Sequence, residues 1–192
     1  NWTASIAAFL GVLQVGAVLN PVPTIYGPAD LAFVLAKCRS KALFIPGRFR
    51  SVDYTAIVAA LGNDLTDPLT IVRLGEGAYA VGTPFEVVLQ HAACELAAGV
   101  SADDPTAVLF TSGTQSKPKG AIHTHNTILF GERAMASALL IGADDVAFMA
   151  SPISHATGFL HGFAMTLTLG GTLSLLDIFA GAAAAEQMRA HR

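Results

Sequence analysis

The sequence predicts an α/β protein whose mostly parallel β-sheet is covered by helices on both faces. Apolar segments of helical length alternate with short runs rich in β-branched residues, and the links between them are short. This alternation is typical of strand–helix–strand units, in which a helix leads the chain back to the next parallel strand. The chain has 192 residues, which is enough for one domain and too few for two complete ones, since a domain holds roughly 100–200 residues.

In the first half of the chain, each element follows from its apolar pattern and its flanking residues. Residues 3–14 are apolar almost all round, which predicts a buried helix that ends before Gly16. Pro28 suits the first turn of a second helix, and Lys37 and Arg39 suit its last turn. The expected elements are a helix at 3–14, a strand at 17–19, a helix at 28–39, a strand at 42–45, a helix at 52–61, a strand at 69–74, a loop at 75–84 and a helix at 85–96.

The second half continues the alternation. Pro105 leads into a strand, and Asn126 suits a helix N-cap because its side-chain oxygen can accept a hydrogen bond from the first turn. The pair Gly170 and Gly171 separates a helix from a strand. The expected strands lie at 107–110, 146–149 and 172–176, and the expected helices lie at 126–139, 157–169 and 180–192.

Charge and cysteine content exclude several classes of protein. Eleven Lys and Arg against 14 Asp and Glu give a net charge of −3, which leaves no cationic excess to bind nucleic acid. A hydrophobic fraction of 53% excludes intrinsic disorder. Cys38 and Cys94 are too few for a disulfide framework, so we expect a cytoplasmic protein. The charged fraction is only 13%, which suits either a membrane protein or the interior part of a larger one.

The longest uncharged stretch, residues 151–176, is long enough to cross a bilayer. It also contains Pro152, Gly158 and a glycine pair, so a buried helix, a turn and a buried strand explain it better, and we expect no transmembrane segment. At the start of the chain, Asn1-Trp2-Thr3 fits the N-glycosylation triplet, which is also common by chance.

Ten residues that follow a predicted strand, Thr111 to Gly120, carry most of the chemical information. They read Thr-Ser-Gly-Thr-Gln-Ser-Lys-Pro-Lys-Gly. Hydroxyls and backbone N–H groups can bind phosphate oxygens, glycine permits close approach, and lysine adds positive charge. The segment is not a Walker A loop, because Pro118-Lys119-Gly120 stands where that loop needs Gly-Lys-Ser/Thr. From composition alone, a phosphate-binding loop and an ordinary polar surface loop both stay open.

This segment closely resembles the signature loop of the adenylate-forming superfamily, which includes the acyl-CoA synthetases. Other stretches are similar to motifs of the same superfamily, and they occur in the same order. The stretch from Leu13 to Pro21 resembles its Leu-x-x-Gly-Ala stretch, and His123 to Asn126 resembles its Thr-His step into a helix. Residues 151–158 resemble its motif of Pro, a few residues, His, two residues and Gly. The chain is therefore identified as a member, closest in motif to medium-chain or alicyclic acyl-CoA ligases.

The resemblance implies that residues 1–192 are part of the N-terminal AMP-binding domain of an acyl-CoA synthetase. Such an enzyme uses ATP, Mg²⁺ and coenzyme A to turn a carboxylic acid into acyl-AMP and then acyl-CoA, releasing pyrophosphate and AMP. His155 is the implied catalytic residue and forms the substrate pocket with Gly158, although a core histidine is the plainer alternative. Thr111 is the implied metal contact. The implied nucleotide-binding residues are Thr111, Ser112, Gly113, Thr114, Gln115, Ser116, Lys117 and Lys119.

The sequence also departs from the superfamily's pattern. Gln115 and Ser116 replace the usual Thr-Gly, and the superfamily's opening segment, downstream Thr-Glu motif and C-terminal domain are absent. We therefore expect a fragment that is inactive alone. Two alternatives stay open: a non-catalytic homologue that binds only a nucleotide or a partner, and an acyl-AMP ligase that loads a carrier protein. The expected partner is a small carboxylic acid, with homodimer formation and peripheral membrane association as further expectations.

Overall fold

The computed structural model describes residues 1–61, 68–75, 81–91, 99–111 and 117–191. Its strands are β1 (Ala42–Pro46), β2 (Arg48–Phe49), β3 (Val52–Asp53), β4 (Thr70–Leu74), β5 (Thr83–Pro84), β6 (Pro105–Thr111), β7 (Lys119–Thr124), β8 (Val146–Met149) and β9 (Thr172–Leu175). Its helices are α1 (Thr3–Gln14), α2 (Pro28–Cys38), α3 (Tyr54–Leu61), α4 (Phe85–Val88), α5 (His125–Leu139), α6 (Met165–Leu169) and α7 (Gly181–Ala190), and a π-helical segment, Gly158–Ala164, leads into α6.

Three of the five described strand pairs, β1–β4, β4–β5 and β8–β9, are parallel, and helices connect the strands, which confirms the predicted α/β class. Strand β4 lies between β1 and β5 in a parallel three-stranded sheet, and β8 pairs in parallel with β9. A single parallel bridge joins Leu19 to Ala107. Two hairpins depart from the expectation: β2 pairs antiparallel with β3, and β6 pairs antiparallel with β7.

Helix ends follow local signals. Pro28 opens α2, and Arg39 closes it in the left-handed conformation at φ 51°. The predicted cap of α5 is wrong, because Thr124 and not Asn126 holds the N-cap position. The Thr124 side chain accepts from the Thr127 N–H, and Thr127 Oγ1 accepts from the Thr124 N–H at 2.9 Å. This reciprocal capping box satisfies two donors that the helix itself cannot.

Several predicted elements differ in extent. The predicted strand 17–19 is reduced to the single bridge at Leu19. The predicted helix 52–61 starts at Tyr54, because Val52 and Asp53 pair as β3. The predicted loop 75–84 contains β5. The predicted helix 85–96 is helical only over α4, and residues 92–98 lie outside the described part of the chain. The last helix, α7, spans 181–190 of the predicted 180–192.

The apolar cluster that positions the candidate site lies between β6, α5 and the π-helical segment. Its buried members include Ala107 and Leu109 of β6, Ile128 of α5, and Phe159 and Phe163 of the π-helical segment. Phe9 of α1 meets both rings edge-on, at centroid distances of 5.9 and 5.5 Å. Burying a phenylalanine side chain contributes roughly 1.5–3 kcal/mol, so this cluster ties the π-helical segment firmly to β6.

The prediction that α1 is a buried helix is wrong, since Ala8 is the single buried residue of that helix in the structure. Among the described residues, no helix combines the length and apolarity that a bilayer crossing requires.

Candidate functional site

The hairpin of β6 and β7 sets the ends of the loop singled out by its sequence. The core of β6 is buried at Thr106, Ala107, Leu109 and Phe110, and the strand reaches the surface at Thr111. Lys119 is the pairing partner of Thr111, and the Thr111 hydroxyl lies 3.4 Å from the Lys119 carbonyl oxygen. The predicted nucleotide-binding residues Ser112, Gly113, Thr114, Gln115 and Ser116 lie outside the described residues.

The returning half of the loop is anchored by packing. A Cβ atom on Gly120 would lie 2.9 Å from Cγ1 of Val108 and 3.1 Å from the Phe110 ring, so the glycine lets β7 lie close against β6. Lys117 Nζ lies 5.2 Å from the ring centroid of Phe33 on α2, which is a cation–π contact. The arrangement places two exposed lysines, Lys117 and Lys119, beside the loop.

A cavity of about 1160 Å³ brings three of the sequence motifs together. Pro118, Lys119 and Gly120 line it from the hairpin, Asn20 and Pro21 line it from the first motif, and residues 152–154 line it from the motif that carries His155. Much of the remaining lining is apolar and comes from α2, β1 and the 22–26 segment. A mostly apolar cavity with a few convergent polar groups is the usual form of a small-molecule site.

The charged side chains that line this cavity are mostly cationic. The described lining holds five cations, Lys37, Arg39, Lys41, Arg50 and Lys119, and one carboxylate, Asp177. The chain as a whole is acidic, with a net charge of −3. A local cationic excess along the lining of an apolar cavity attracts anionic ligands such as phosphates and carboxylates.

Polar groups inside the cavity favour hydrogen bonding over ionisation. Both carboxamide atoms of Asn20 and the hydroxyl of Tyr26 are buried without a partner among the described residues. The Tyr54 hydroxyl donates to the Thr24 carbonyl at 3.1 Å. Burial raises the pKa of both tyrosines above the ordinary value, so their hydroxyls are protonated donors at neutral pH.

Cys38 also lines the cavity, and burial raises the pKa of its thiol. A raised pKa keeps the thiol protonated, which makes Cys38 a poor nucleophile.

The structure places His155 at the entrance to the π-helical segment. Its side chain is exposed, its backbone N–H donates to the Pro152 carbonyl at 2.9 Å, and its Nδ1 lies 3.4 Å from the Thr157 N–H. Since Nδ1 faces a donor, the neutral ring carries its proton on Nε2, where it can donate outward.

Gly158 is buried against the backbone of the preceding turn. A Cβ atom there would lie 2.7 Å from the Ser151 carbonyl oxygen and 2.5 Å from the Pro152 carbonyl carbon. The glycine therefore lets residues 151–155 fold back tightly over the helix start.

The structure contains an ionisable pair, Glu132 and His161, that the sequence did not predict. Glu132 of α5 is 3% exposed, and its Oε2 lies 3.0 Å from Nδ1 of His161 in the π-helical segment. The signal was present in the sequence, because Glu132 falls midway between Ile128 and Ala136 on one apolar helix face. A buried carboxylate needs such a partner, so the pair links α5 to the segment that follows His155.

Comparison with known proteins gives a family match over the whole chain, residues 1–192, described as AMP-binding enzyme. The medium-chain fatty-acid–CoA ligase of Escherichia coli (strain K12) is 36% identical over 181 residues, which cover 93% of this chain and 32% of that protein. The 3-[(3aS,4S,7aS)-7a-methyl-1,5-dioxo-octahydro-1H-inden-4-yl]propanoyl:CoA ligase of Rhodococcus jostii (strain RHA1) is 29% identical and covers 91% of this chain and 36% of that protein.

Among solved structures, ATP-bound MatB from Rhodopseudomonas palustris shares the fold, with a TM-score of 0.79 at 21% identity. The match covers 98% of this chain and 36% of MatB. The chain thus spans about a third of the length of the curated relatives it matches.

Proposed function

Because this chain belongs to the AMP-binding enzyme family, we propose that it is part of an acid–thiol ligase that joins a carboxylic acid to coenzyme A through acyl-AMP. The observation that carries the proposal is the 36% identity to a medium-chain fatty-acid–CoA ligase over 93% of this chain. In this proposal residues 1–192 form part of an N-terminal AMP-binding domain within a longer protein. The excess of cations over carboxylates in the cavity lining supports it, since ATP, the acid and coenzyme A are all anions.

The proposed reaction has two displacement steps. A carboxylate oxygen bonds to the α-phosphorus of ATP, the bond to the bridging oxygen breaks, and pyrophosphate leaves with that electron pair. The sulfur of coenzyme A then bonds to the acyl carbon, the thiol proton is released, and AMP leaves. Both steps depend on positioning and on neutralising phosphate charge more than on covalent chemistry by the protein.

The Thr111–Lys119 hairpin is the proposed phosphate site. The exposed Thr111 hydroxyl and the Lys119 side chain stand at opposite ends of the loop, on paired strands. Charge-assisted hydrogen bonds from lysine to phosphate are stronger than neutral ones. Lys117 and the loop residues Ser112, Gly113, Thr114, Gln115 and Ser116 complete the proposed site.

Mg²⁺ fits this site as a companion of ATP. No group of three or more His, Cys, Asp and Glu side chains suited to a metal occurs among the described residues. Mg²⁺ commonly keeps several waters and binds substrate phosphates with one or two protein ligands. Thr111 Oγ1, exposed at the end of β6, is the ligand that we propose.

His155 and Gly158 have separate proposed roles at the acyl end of the site. His155 is exposed beside residues 152–154, which line the cavity, and its Nε2–H is free to donate to a developing negative charge on the acyl group. Gly158 sets the position of His155, because it permits the close approach of the Ser151 and Pro152 carbonyls.

The proposed substrate is a medium-chain or alicyclic carboxylic acid, which the names of the two relatives support. A cytoplasmic location, homodimer formation and peripheral contact with a membrane stay predictions from the sequence.

Carboxylate-dependent exchange of labelled pyrophosphate into ATP tests the first step in the full-length protein. Acetate, octanoate, cyclohexanecarboxylate and palmitate are compared, and reactions without acid provide the baseline. We expect octanoate or cyclohexanecarboxylate to give the fastest exchange. Exchange that no carboxylate stimulates would contradict the proposal. Release of AMP that depends on coenzyme A then identifies the acceptor, and release that requires a carrier protein would contradict coenzyme A as that acceptor.

A further inference from the structure

The side chain of Asn1 joins three parts of the chain that are distant in sequence. Its Nδ2 donates to the carbonyls of Ser151 at 3.0 Å and Leu176 at 2.9 Å, and the Met149 carbonyl, at 3.3 Å, shares one of these two hydrogens. Its Oδ1 accepts from the Ile153 N–H at 2.8 Å. Few side chains present both donors and an acceptor at this length, and the two nearer carbonyls together with the Ile153 N–H suit the two hydrogens and the oxygen of a carboxamide.

These contacts lie where β8 and β9 end. Met149 is the last residue of β8, and Leu176 follows β9 and donates its own N–H to the Met149 carbonyl at 3.2 Å. The strands are parallel, so their carboxyl ends meet at one edge. The Asn1 carboxamide closes that edge by bonding the Ser151 and Leu176 carbonyls and by sharing the Met149 carbonyl with the Leu176 N–H.

From this edge a short chain of contacts leads to His155. Ile153, which is 4% exposed, is held through its N–H by Asn1. The preceding residue, Pro152, accepts the His155 N–H, and its carbonyl packs against Gly158. The conformation of residues 151–155 is therefore fixed from one side by Asn1 and from the other by Gly158.

We infer that Asn1 is a positioning residue, whose carboxamide holds the 149–153 segment in the conformation that presents His155 to the acyl group. The inference rests on the proposed function. It also bears on the triplet Asn1-Trp2-Thr3. An oligosaccharide on Nδ2 would displace the contacts of this nitrogen with the Met149, Ser151 and Leu176 carbonyls, so the folded protein uses Asn1 for structure instead.

Two Asn1 variants and one matched control test the inference in the full-length protein. Asn1→Ala removes all four bonds, and Asn1→Asp keeps an acceptor for the Ile153 N–H but loses the donors. Thr3→Ala, at an exposed position of α1, also destroys the glycosylation triplet but leaves the carboxamide intact. The readouts are pyrophosphate exchange kinetics and hydrogen exchange at the Ile153 amide.

For both Asn1 variants we expect kcat to fall by about tenfold or more and the KM of the carboxylic acid to rise, because small misplacements of reacting groups are costly. The KM for ATP is expected to stay within about twofold, since the proposed phosphate site is on the β6–β7 hairpin and Asn1 contacts the ends of β8 and β9. Thr3→Ala is expected to match the wild type. A loss of folded protein alone would lower kcat and leave both KM values unchanged, and that pattern would overturn the inference.

Hydrogen exchange of the wild-type protein tests the hydrogen bond between Asn1 and the Ile153 amide, so it does not depend on whether a variant folds. In the wild type the Ile153 amide is expected to exchange far more slowly than an unprotected amide, and an unprotected rate would overturn the inference. If the wild type is active and the Asn1→Ala enzyme has the same kinetics, the inference about Asn1 is also overturned. An inactive wild type would instead refute the proposed function, so the two failures are distinguishable.

Discussion

Replacing Gly158 by alanine adds one methyl group where the structure leaves no space. The new Cβ would lie 2.7 Å from the Ser151 carbonyl oxygen and closer still to that of Pro152. The Ser151 carbonyl would have to move by about 0.7 Å, the difference between that distance and an ordinary contact of 3.4 Å. These neighbours are backbone atoms, which cannot rotate away as a flexible side chain can.

Two effects of opposite sign determine the result. Alanine gains up to about 1 kcal/mol over glycine from backbone entropy in a helix. Overpacking costs about 1–3 kcal/mol, and more where the backbone must shift. Because the backbone must shift here, the upper end of that cost applies, and we expect a net loss of about 2 kcal/mol, which corresponds to a Tm lower by about 4–8 °C for a domain of this size.

The assay is thermal unfolding of Gly158→Ala beside Gly131→Ala as the matched control. Gly131 lies in α5 and is exposed, and outside its own helix none of the described residues has an atom within 4 Å of the place that an alanine Cβ would take. The control is expected to gain about 0.4–1 kcal/mol. A Gly158→Ala protein as stable as the control would refute the argument from close backbone approach.

Three other changes test the phosphate site, a helix cap and a carboxylate. Lys119→Ala is expected to raise the KM for ATP about 10–100-fold, because hydrogen bonds from charged groups contribute about 1.5–3 kcal/mol; an unchanged KM would place the phosphates elsewhere. Thr124→Ala is expected to lower the free energy of unfolding in urea by about 0.5–2 kcal/mol, and Thr124→Ser to restore it. Hydrogen bonds from the Thr55 hydroxyl and the Ala56 and Thr55 N–H groups lower the pKa of Asp53. Its contribution to stability is therefore present above the unfolded pKa and is lost as pH falls through the folded one. Asp53→Asn should make the free energy of unfolding fall less steeply as the pH is lowered. The same pH dependence in the variant and the wild type would contradict this role of Asp53.

Elements with strong local signals were predictable from the sequence. Helix α1 has the predicted bounds, and α2 begins at Pro28 as expected. In both cases the signal is local: apolar periodicity together with a proline at the start or a glycine just past the end. Strand β8 also has the predicted bounds.

Elements that depend on distant neighbours were not predictable. Strand β7 is mostly exposed and shows no apolar alternation, so its extended conformation comes from pairing with the buried β6. The π-helical segment was expected to be an ordinary helix. Its two glycines, Gly158 and Gly162, lie against the Pro152 backbone and the Met149 side chain, which are contacts that no local pattern shows.

The candidate site divides in the same way. The sequence singled out the loop after β6 and His155 because their residue types carry chemistry and their spacing resembles known motifs. It did not show that three motifs face one cavity. Nor did it indicate the role of Asn1, whose hydrogen-bonding partners lie about 150 positions away along the chain. Such contacts depend on the tertiary fold, and a single sequence does not display them.

The most direct measurement of the central claim follows the oxygen atoms of the acid. The full-length protein is incubated with ATP, Mg²⁺, coenzyme A and an acid whose carboxylate carries a heavy oxygen isotope, and the products are analysed by mass spectrometry. If the acid is activated as acyl-AMP, one labelled oxygen appears in AMP alongside pyrophosphate and the thioester. Label in inorganic phosphate, accompanied by ADP, would show activation through an acyl phosphate and would contradict the account.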